Sequence, residues 1–204
     1  MLKNIIILFT IICFSSVHAQ YEWTPAKVIL KNGTSFRGLV KFPKHFGGLI
    51  SIGSTEFKYK KKRKSGTVAY GHDTVEEVIF GDEDFTTVHY KYVPIKKKKF
   101  VLMELVTSGK VSLYSRTVLR SQTSFLGDPD FESTTFYDDT DYYLIRNTEE
   151  KAKYISGVPN NKMFIYVAKR YFSDCSKIVN YLENELYRLN DIIELVDHYN
   201  LLCE

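Results

Sequence analysis

Two dense runs of basic residues are the part of the sequence whose residue types point most directly to chemistry. The runs consist of Lys58, Lys60, Lys61, Lys62, Arg63 and Lys64, and of Lys96, Lys97, Lys98 and Lys99. Clustered ammonium and guanidinium groups neutralise the charges of a polyanion, so both runs are candidate polyanion-binding residues. An acidic glycan, lipopolysaccharide or extracellular DNA would be a suitable ligand. The alternative is that the lysines are solvated at a hairpin tip and discourage pairing at a strand edge.

An acidic stretch between Gly127 and Tyr142 offers a second kind of chemistry, because oxygen ligands are the ones that Ca²⁺ prefers. Its acidic residues are Asp128, Asp130, Glu132, Asp138, Asp139 and Asp141, with no Lys or Arg among them. The order lacks the glycine of an EF-hand loop, and Pro129 and Phe131 interrupt it. We expect a solvated acidic loop, with a Ca²⁺ site as the alternative, and we predict no other metal and no cofactor.

Two cysteines flank a pattern that is typical of paired helices. Ser173 or Asp174 is placed to cap a helix at Cys175. Apolar residues then recur at helical spacing, at Ile178, Leu182, Leu186 and Leu189 and, after a second cap at Asn190, at Ile192, Leu195, Val196, Tyr199 and Leu202. An αα-hairpin brings the start of the first helix beside the end of the second, where Cys175 and Cys203 lie. We therefore predict a disulfide between Cys175 and Cys203, with two buried free thiols as the alternative.

No familiar catalytic or nucleotide-binding motif is present. The chain has no G-x-x-x-x-G-K-[ST] loop, no G-x-G-x-x-G fingerprint after a strand, no H-E-x-x-H and no G-x-S-x-G elbow. His45, His72, His89 and His198 are far apart in sequence, and single histidines are more often structural than catalytic. The sequence favours a non-catalytic binding or interaction protein. A hydrolase with an unrecognised site and a structural surface component are the alternatives.

The elements that must position these residues are mainly short β-strands. Apolar and β-branched runs predict strands at residues 26–30, 36–42, 49–52, 56–59, 74–80, 85–93, 100–106, 110–116 and 136–146. Asn32-Gly33 and Ser108-Gly109 predict hairpins, the first with a type I′ turn. Strands at this spacing favour an antiparallel barrel or sandwich. Phe164, Val167, Ala168 and Tyr171 then predict a helix from about Lys162.

The N-terminus has the pattern of a secretory signal peptide. Lys3 precedes an apolar run from Ile5 to Phe14, and Val17-His18-Ala19 supplies a small-residue cleavage site. The apolar run is shorter than the roughly 20 residues that span a bilayer, and no later stretch is long enough to do so. We expect an exported protein, located in the periplasm, at the outer membrane or outside the cell.

The overall composition is that of a globular chain. Of its 204 residues, 44% are hydrophobic, 15% aromatic and 25% charged, which excludes disordered, collagen-like and coiled-coil classes. The 28 basic and 24 acidic residues are nearly balanced, but the basic ones are concentrated in the two runs. Aromatic residues suit strands, where we expect most of them in the core, although an exposed tyrosine face can also stack on sugars.

Several short motifs resemble a known group of proteins. The end of the N-terminal segment, residues 15–20, is similar to those of secreted Bacteroidota proteins. The motifs at residues 30–38, 109–114 and 171–175, followed by Tyr199-Asn200 and Cys203, resemble in sequence and order an uncharacterised exported family of that phylum. The resemblance covers most of the chain after residue 19, and the two basic runs depart from it. It implies an exported β-rich domain with a disulfide-tied tail, and no activity.

The fold class that follows is α+β, with the strands first and the helices last. We expect a signal peptide at residues 1–19 and a β-rich domain, barrel or sandwich, at residues 20–147. A helical tail at residues 148–204 should pack on that domain.

The signal-peptide assignment predicts that the exported protein begins at Gln20. Cleavage after Ala19 removes Lys3 and Cys13, so N-terminal sequencing or intact mass of the secreted material should report a chain of residues 20–204. A chain that still carries Met1 in an exported fraction contradicts the assignment.

Overall fold

The computed structural model describes residues 23–42, 55–81, 86–125 and 132–203. The predicted signal peptide, the predicted strand at residues 49–52, and the acidic residues Asp128 and Asp130 lie outside these ranges.

Ten strands and three short helices make up the described chain. The strands are β1 (Thr24–Leu30), β2 (Ser35–Lys41), β3 (Phe57–Lys60), β4 (Val68–Tyr70), β5 (Val75–Phe80), β6 (Val88–Lys96), β7 (Lys99–Thr107), β8 (Val111–Phe125), β9 (Glu132–Arg146) and β10 (Lys153–Tyr154). The helices are α1 (Asn161–Tyr171), α2 (Ser176–Glu183) and α3 (Ile192–Leu202), with a 3-10 turn at Leu189–Asp191. The predicted order of strands followed by helices is confirmed.

The strands form a ten-stranded antiparallel sheet, and in the described residues its end strands β4 and β10 do not pair with each other. The sheet is therefore open, and the predicted barrel is wrong. The turn spacing that suggested a barrel depends only on strand length, which open and closed antiparallel sheets share. The chain divides into two compact units, one with β1–β5 and one with β6–β10 and the helices. The boundary expected after residue 147, between the β-rich domain and the helical tail, stays a prediction.

The first unit has the strand order β5-β1-β2-β3-β4. The predicted β1–β2 hairpin is present, but its turn is not type I′, because Gly33 is left-handed (φ 83°) and Asn32 is not. The Gly33 amide donates to the Leu30 carbonyl (2.9 Å), and the Thr34 amide donates to Asn32 Oδ1 (3.0 Å). Four residues separate the strands, so the side chain of Asn32 closes a longer loop than the two-residue turn predicted.

The second unit has the strand order β10-β9-β8-β7-β6. Its longest pairing joins β8 and β9 over 15 residues each, from Val111 opposite Arg146 to Phe125 opposite Glu132. The sequence predicted strands at residues 110–116 and 136–146, which cover only part of this ribbon. Asp138, Asp139 and Asp141 lie on β9, so the strand predicted at residues 136–146 is confirmed and the expectation of a solvated loop is wrong for these three residues.

The helices cover one face of this unit. Leu113 of β8 and Leu144 of β9 are opposite each other in the ladder and fully buried. They share one core with buried apolar side chains of all three helices, namely Phe164, Ala168, Ile178, Leu182, Ile192, Leu195, Val196 and Tyr199. Each large side chain buried in this way contributes about 1.5–3 kcal/mol, so the helices and these strands stabilise each other.

The start of α1 agrees with the sequence prediction. Its first residue is Asn161, and Asn160 Oδ1 caps it by accepting from the Met163 amide (3.0 Å). The predicted caps of the later helices are wrong. Cys175 occupies the N-cap position of α2 without a side-chain bond, because Asp174 binds Tyr199 and Arg146 instead.

Helix α2 is shorter than the apolar spacing predicted. It ends at Glu183, and Glu185 adopts a left-handed conformation (φ 54°) that cannot continue a helix. Leu186, which was expected on the buried stripe, is 62% exposed.

Helix α3 is anchored to the β7–β8 hairpin by polar side chains. Asn200 accepts from the Val111 amide (3.0 Å) and donates to the Val111 carbonyl (2.8 Å), as a neighbouring strand would. Thr107 donates to Asp197 (2.6 Å). A side chain at Gly109 would overlap Asn200, so glycine is required for this close approach.

The predicted disulfide between Cys175 and Cys203 is confirmed. It joins the residue before α2 to the residue after α3, with 5.7 Å between the Cα atoms. The link closes a loop of 28 residues over a helix pair that also contributes to the core.

Removing the disulfide should destabilise the protein. The double substitution Cys175→Ser and Cys203→Ser should lower the free energy of unfolding by about 3 kcal/mol, because the unfolded chain regains the freedom of the closed loop. Denaturant unfolding measures the change. A reductant should lower the stability of the wild type to that of the variant and leave the variant unchanged. Equal stabilities without reductant contradict the prediction.

Candidate functional site

The first basic run lies on β3 and in the turn that follows it. Lys58 and Lys60 are on the strand, and residues 61–64 form an exposed tip. Ser65 closes the tip by accepting from the Lys62 amide (2.8 Å) and donating to its carbonyl (2.7 Å). The ammonium group of Lys60 lies over the ring of Trp23, 4.4 Å from its centroid.

A small groove of about 410 Å³ lies beside this tip. Arg37, Lys61 and Lys62 line it together with backbone at Gly38 and Gly81. Two of the six basic residues of the run, Lys61 and Lys62, reach the groove, and polyanion binding and simple solvation of the run both stay predictions.

The second basic run forms the β6–β7 hairpin. Lys96 and Lys99 are paired across the ladder, and Lys97 and Lys98 make the turn, with Lys98 in a left-handed conformation (φ 62°). Lys97 contributes to a larger cleft in the same compact unit.

This cleft has a volume of about 850 Å³ and is mainly cationic. Its charged lining residues are Lys97, Arg146, Lys151, Lys153, Arg170, Glu149 and Glu150. The remaining lining residues are Ala152, Tyr166, Val167 and Tyr171. Five cations and two carboxylates converge here from the β6–β7 hairpin, the end of β9, the loop that follows it, β10 and α1.

Arg146, at the end of β9, is fixed by several partners. Its Nη2 donates to the Tyr171 carbonyl (2.9 Å), to Asp174 Oδ1 (2.8 Å) and to the Tyr199 hydroxyl (3.3 Å). The guanidinium also lies over the Tyr171 ring, 4.6 Å from its centroid. Arg146 is therefore a rigid, already paired cation in the wall of the cleft.

Glu149 is fixed in the same network. It accepts from the Arg146 amide (2.8 Å) and from the Tyr171 hydroxyl (2.8 Å). Burial and this hydrogen bond raise the pKa of Tyr171 above its ordinary value, so the phenol stays protonated and continues to donate.

The other cations of the cleft have no such partners. Within the described ranges, Lys97, Lys151, Lys153 and Arg170 form no salt bridge. The loop that carries two of them is nevertheless well held, because the amide of buried Ala152 donates to the Pro94 carbonyl of β6 (2.7 Å). Lys153 is fixed by its pairing with Leu144 of β9. Ordered backbone thus presents unpaired positive charges to one concave surface.

The acidic residues of β9 serve a different network, which Arg116 and Arg120 of β8 complete. Arg116 donates to Asp141 Oδ2 from Nε (3.2 Å) and Nη2 (3.0 Å). Arg120 donates to Asp141 Oδ1 (2.7 Å) and forms an ion pair with Asp139. Tyr154 adds a third donor to Asp141 (2.8 Å), which is only 4% exposed.

Tyr143, which neighbours this network, is also buried. Burial raises the pKa of Tyr143 to about 12, although nearby Arg116 opposes the shift. No group of three or more His, Cys, Asp or Glu that could hold a metal ion occurs in the described ranges. The Ca²⁺ hypothesis includes Asp128, Asp130 and Glu132, whose side chains are not described, and it remains a prediction.

Sequence reasoning identified Lys97 and missed the other cleft residues. Lys151, Lys153 and Arg170 are isolated charges in sequence, and Tyr166 is one tyrosine among fifteen. The spacing of Lys151 and Lys153 around buried Ala152 is the one available signal, since alternate residues of an extended segment share a face. The two basic runs themselves lie in different compact units.

Comparison of the chain with protein-family models, with curated proteins and with solved structures finds no match. Among the described residues, no helix combines the length and apolarity needed to cross a membrane. The function must therefore be inferred from the geometry of the cleft.

The arginine–aspartate network predicts a large difference between two neighbouring aspartates. Asp141→Asn should lower the free energy of unfolding by about 3 kcal/mol, because it leaves the buried Arg116 without its counter-charge. The matched control Asp138→Asn, on the exposed part of the same strand, should change it by less than about 0.5 kcal/mol. Denaturant unfolding measures both, and equal effects contradict the structural role of Asp141.

Proposed function

We propose that this chain is an exported, non-catalytic protein that binds an anionic ligand in the cleft of the second unit. The observation that carries the proposal is the convergence of Lys97, Lys151, Lys153 and Arg170, which have no salt-bridge partner among the described residues, in a concavity of about 850 Å³. That volume is typical of ligand-binding clefts.

Electrostatics supports an anion as the occupant. Like charges on the wall of a concavity repel each other, and the low-dielectric protein around them focuses their field into the cleft. A bound anion removes this repulsion. Arg146 and Glu149 are already paired, so they add shape and rigidity while the four unpaired cations supply the attraction.

Two observations support export. The disulfide between Cys175 and Cys203 is typical of proteins that fold in an oxidising compartment. The N-terminal segment has the charged, apolar and small-residue regions of a signal peptide. An envelope or extracellular polyanion is the class of ligand that such a location provides.

The test compares three triple variants by chromatography on immobilised heparin, which represents an acidic polymer. The cleft variant is Lys97→Ser, Lys151→Ser and Lys153→Ser, and the tip variant is Lys61→Ser, Lys62→Ser and Lys64→Ser. The matched control is Lys110→Ser, Lys162→Ser and Lys177→Ser, which removes the same charge from exposed positions of the second unit. Each variant is first checked for wild-type unfolding behaviour.

We expect the cleft variant to elute at clearly lower salt than the matched control. The slope of its plot of log affinity against log salt should be smaller in magnitude by about two to three, because three cation contacts are lost. Equal elution of the cleft and control variants contradicts the proposal. If only the tip variant loses heparin binding, the binding belongs to the first basic run, and this result also contradicts the cleft as the site.

A further inference from the structure

The wall that α1 contributes to the cleft is partly aromatic. Tyr166, Val167, Arg170 and Tyr171 all line it, and their spacing places them on one side of the helix. Tyr171 is held by Glu149 and Arg146, whereas Tyr166 is 63% exposed. An exposed tyrosine beside Arg170, one helical turn away, is a flat surface next to a charge.

Carboxylates among the cations limit the kind of anion that fits. Glu149 and Glu150 lie in the same lining as the lysines. A polyphosphate carries charge on every unit and has no sugar hydroxyls to donate to these carboxylates, so their interaction with it is purely repulsive. A ligand that alternates acidic groups with hydroxyls has donors for the carboxylates and acceptors for the lysines.

Nucleic acid fits the lining less well. Proteins that bind single strands without sequence preference stack successive bases on several aromatic side chains along a basic groove. Of the aromatic residues that line this cleft, Tyr166 is exposed and Tyr171 is committed to Glu149 and Arg146. One free aromatic face suits a single ring better than a row of bases.

We propose that the ligand is an acidic oligosaccharide, with one sugar ring stacked on Tyr166 and its carboxylate or sulfate groups bound by Lys97, Lys151, Lys153 and Arg170. This inference rests on the proposed anion-binding function and specifies its ligand class. Glu150 accepts from sugar hydroxyls, and the network of Arg146, Tyr171 and Glu149 keeps the wall rigid.

The experiment is calorimetric titration of the full secreted chain with five defined probes. Trigalacturonate and a heparin-derived tetrasaccharide represent acidic sugars, and maltotriose is the neutral control. Tripolyphosphate and an oligothymidylate represent charge without sugar acids. The proteins are the wild type, Tyr166→Ala, Tyr166→Phe and the Lys97, Lys151 and Lys153 triple serine variant.

We expect at least one acidic saccharide to bind the wild type, with maltotriose not binding. Tyr166→Ala should weaken that binding by about tenfold, because the stacking surface is lost, and Tyr166→Phe should retain it. The triple serine variant should weaken binding more strongly and make the remaining binding, which keeps Arg170, less sensitive to salt. Because Tyr166 is exposed, Tyr166→Ala should unfold like the wild type, which separates a binding effect from misfolding.

Two results overturn the inference in different ways. If tripolyphosphate or oligothymidylate binds through the lysines while the Tyr166 variants equal the wild type, the saccharide assignment fails and the anion-binding proposal survives. If none of the charged probes distinguishes the triple serine variant from the wild type, both proposals fail.

Discussion

The guanidinium of Arg146 is the interaction on which the arrangement of the second unit depends. It joins the end of β9 to the last carbonyl of α1, to Asp174 before α2 and to Tyr199 of α3. A cation at a helix C-terminus is favoured by the helix dipole, so the contact with the Tyr171 carbonyl stabilises both partners. One side chain thus links the strand that carries it to α1, to the residue two before α2 and to α3, in addition to the apolar core that they share. It also forms part of the cleft wall, which ties the shape of the site to the stability of the fold.

The second unit uses charge in two opposite ways. Asp139 and Asp141 lie on one face, where Arg116, Arg120 and Tyr154 satisfy their oxygens. A buried network of this kind is satisfied internally, and removing one partner is costly because it leaves a buried charge unpaired. Around the cleft, by contrast, Lys97, Lys151, Lys153 and Arg170 have no such neighbours in the described chain. The first arrangement is that of a structural network, and the second is the basis of the proposed anion binding.

Sequence reasoning succeeded where local pattern and physical constraint agree. The helix from residue 161, the hairpins at Gly33 and Gly109, and the disulfide follow from spacing, turn residues and the geometry of a helix pair. It failed where a distant partner decided the outcome. Asp174 was expected to cap α2 but binds Arg146 and Tyr199, and Asp141 was expected to be solvated but is buried against Arg116. The barrel was wrong because alternation and turn spacing do not determine closure.

The cleft was the hardest feature to predict, and the reason is physical. Density of charge in sequence favours hairpin tips such as residues 61–64, where lysines are easily solvated. Focusing of a field requires instead that charges from separate elements converge on a concave, low-dielectric surface. Pairing of β10 with β9 and the bond from Ala152 to Pro94 bring Lys151 and Lys153 to the side of the cleft that Lys97 also lines. Helix α1 adds Arg170 and Tyr166 only because its buried face, Phe164 and Ala168, packs on the strands. The cleft therefore depends on packing of the core. Charges that are isolated in sequence come together there only because backbone contacts hold the elements that carry them.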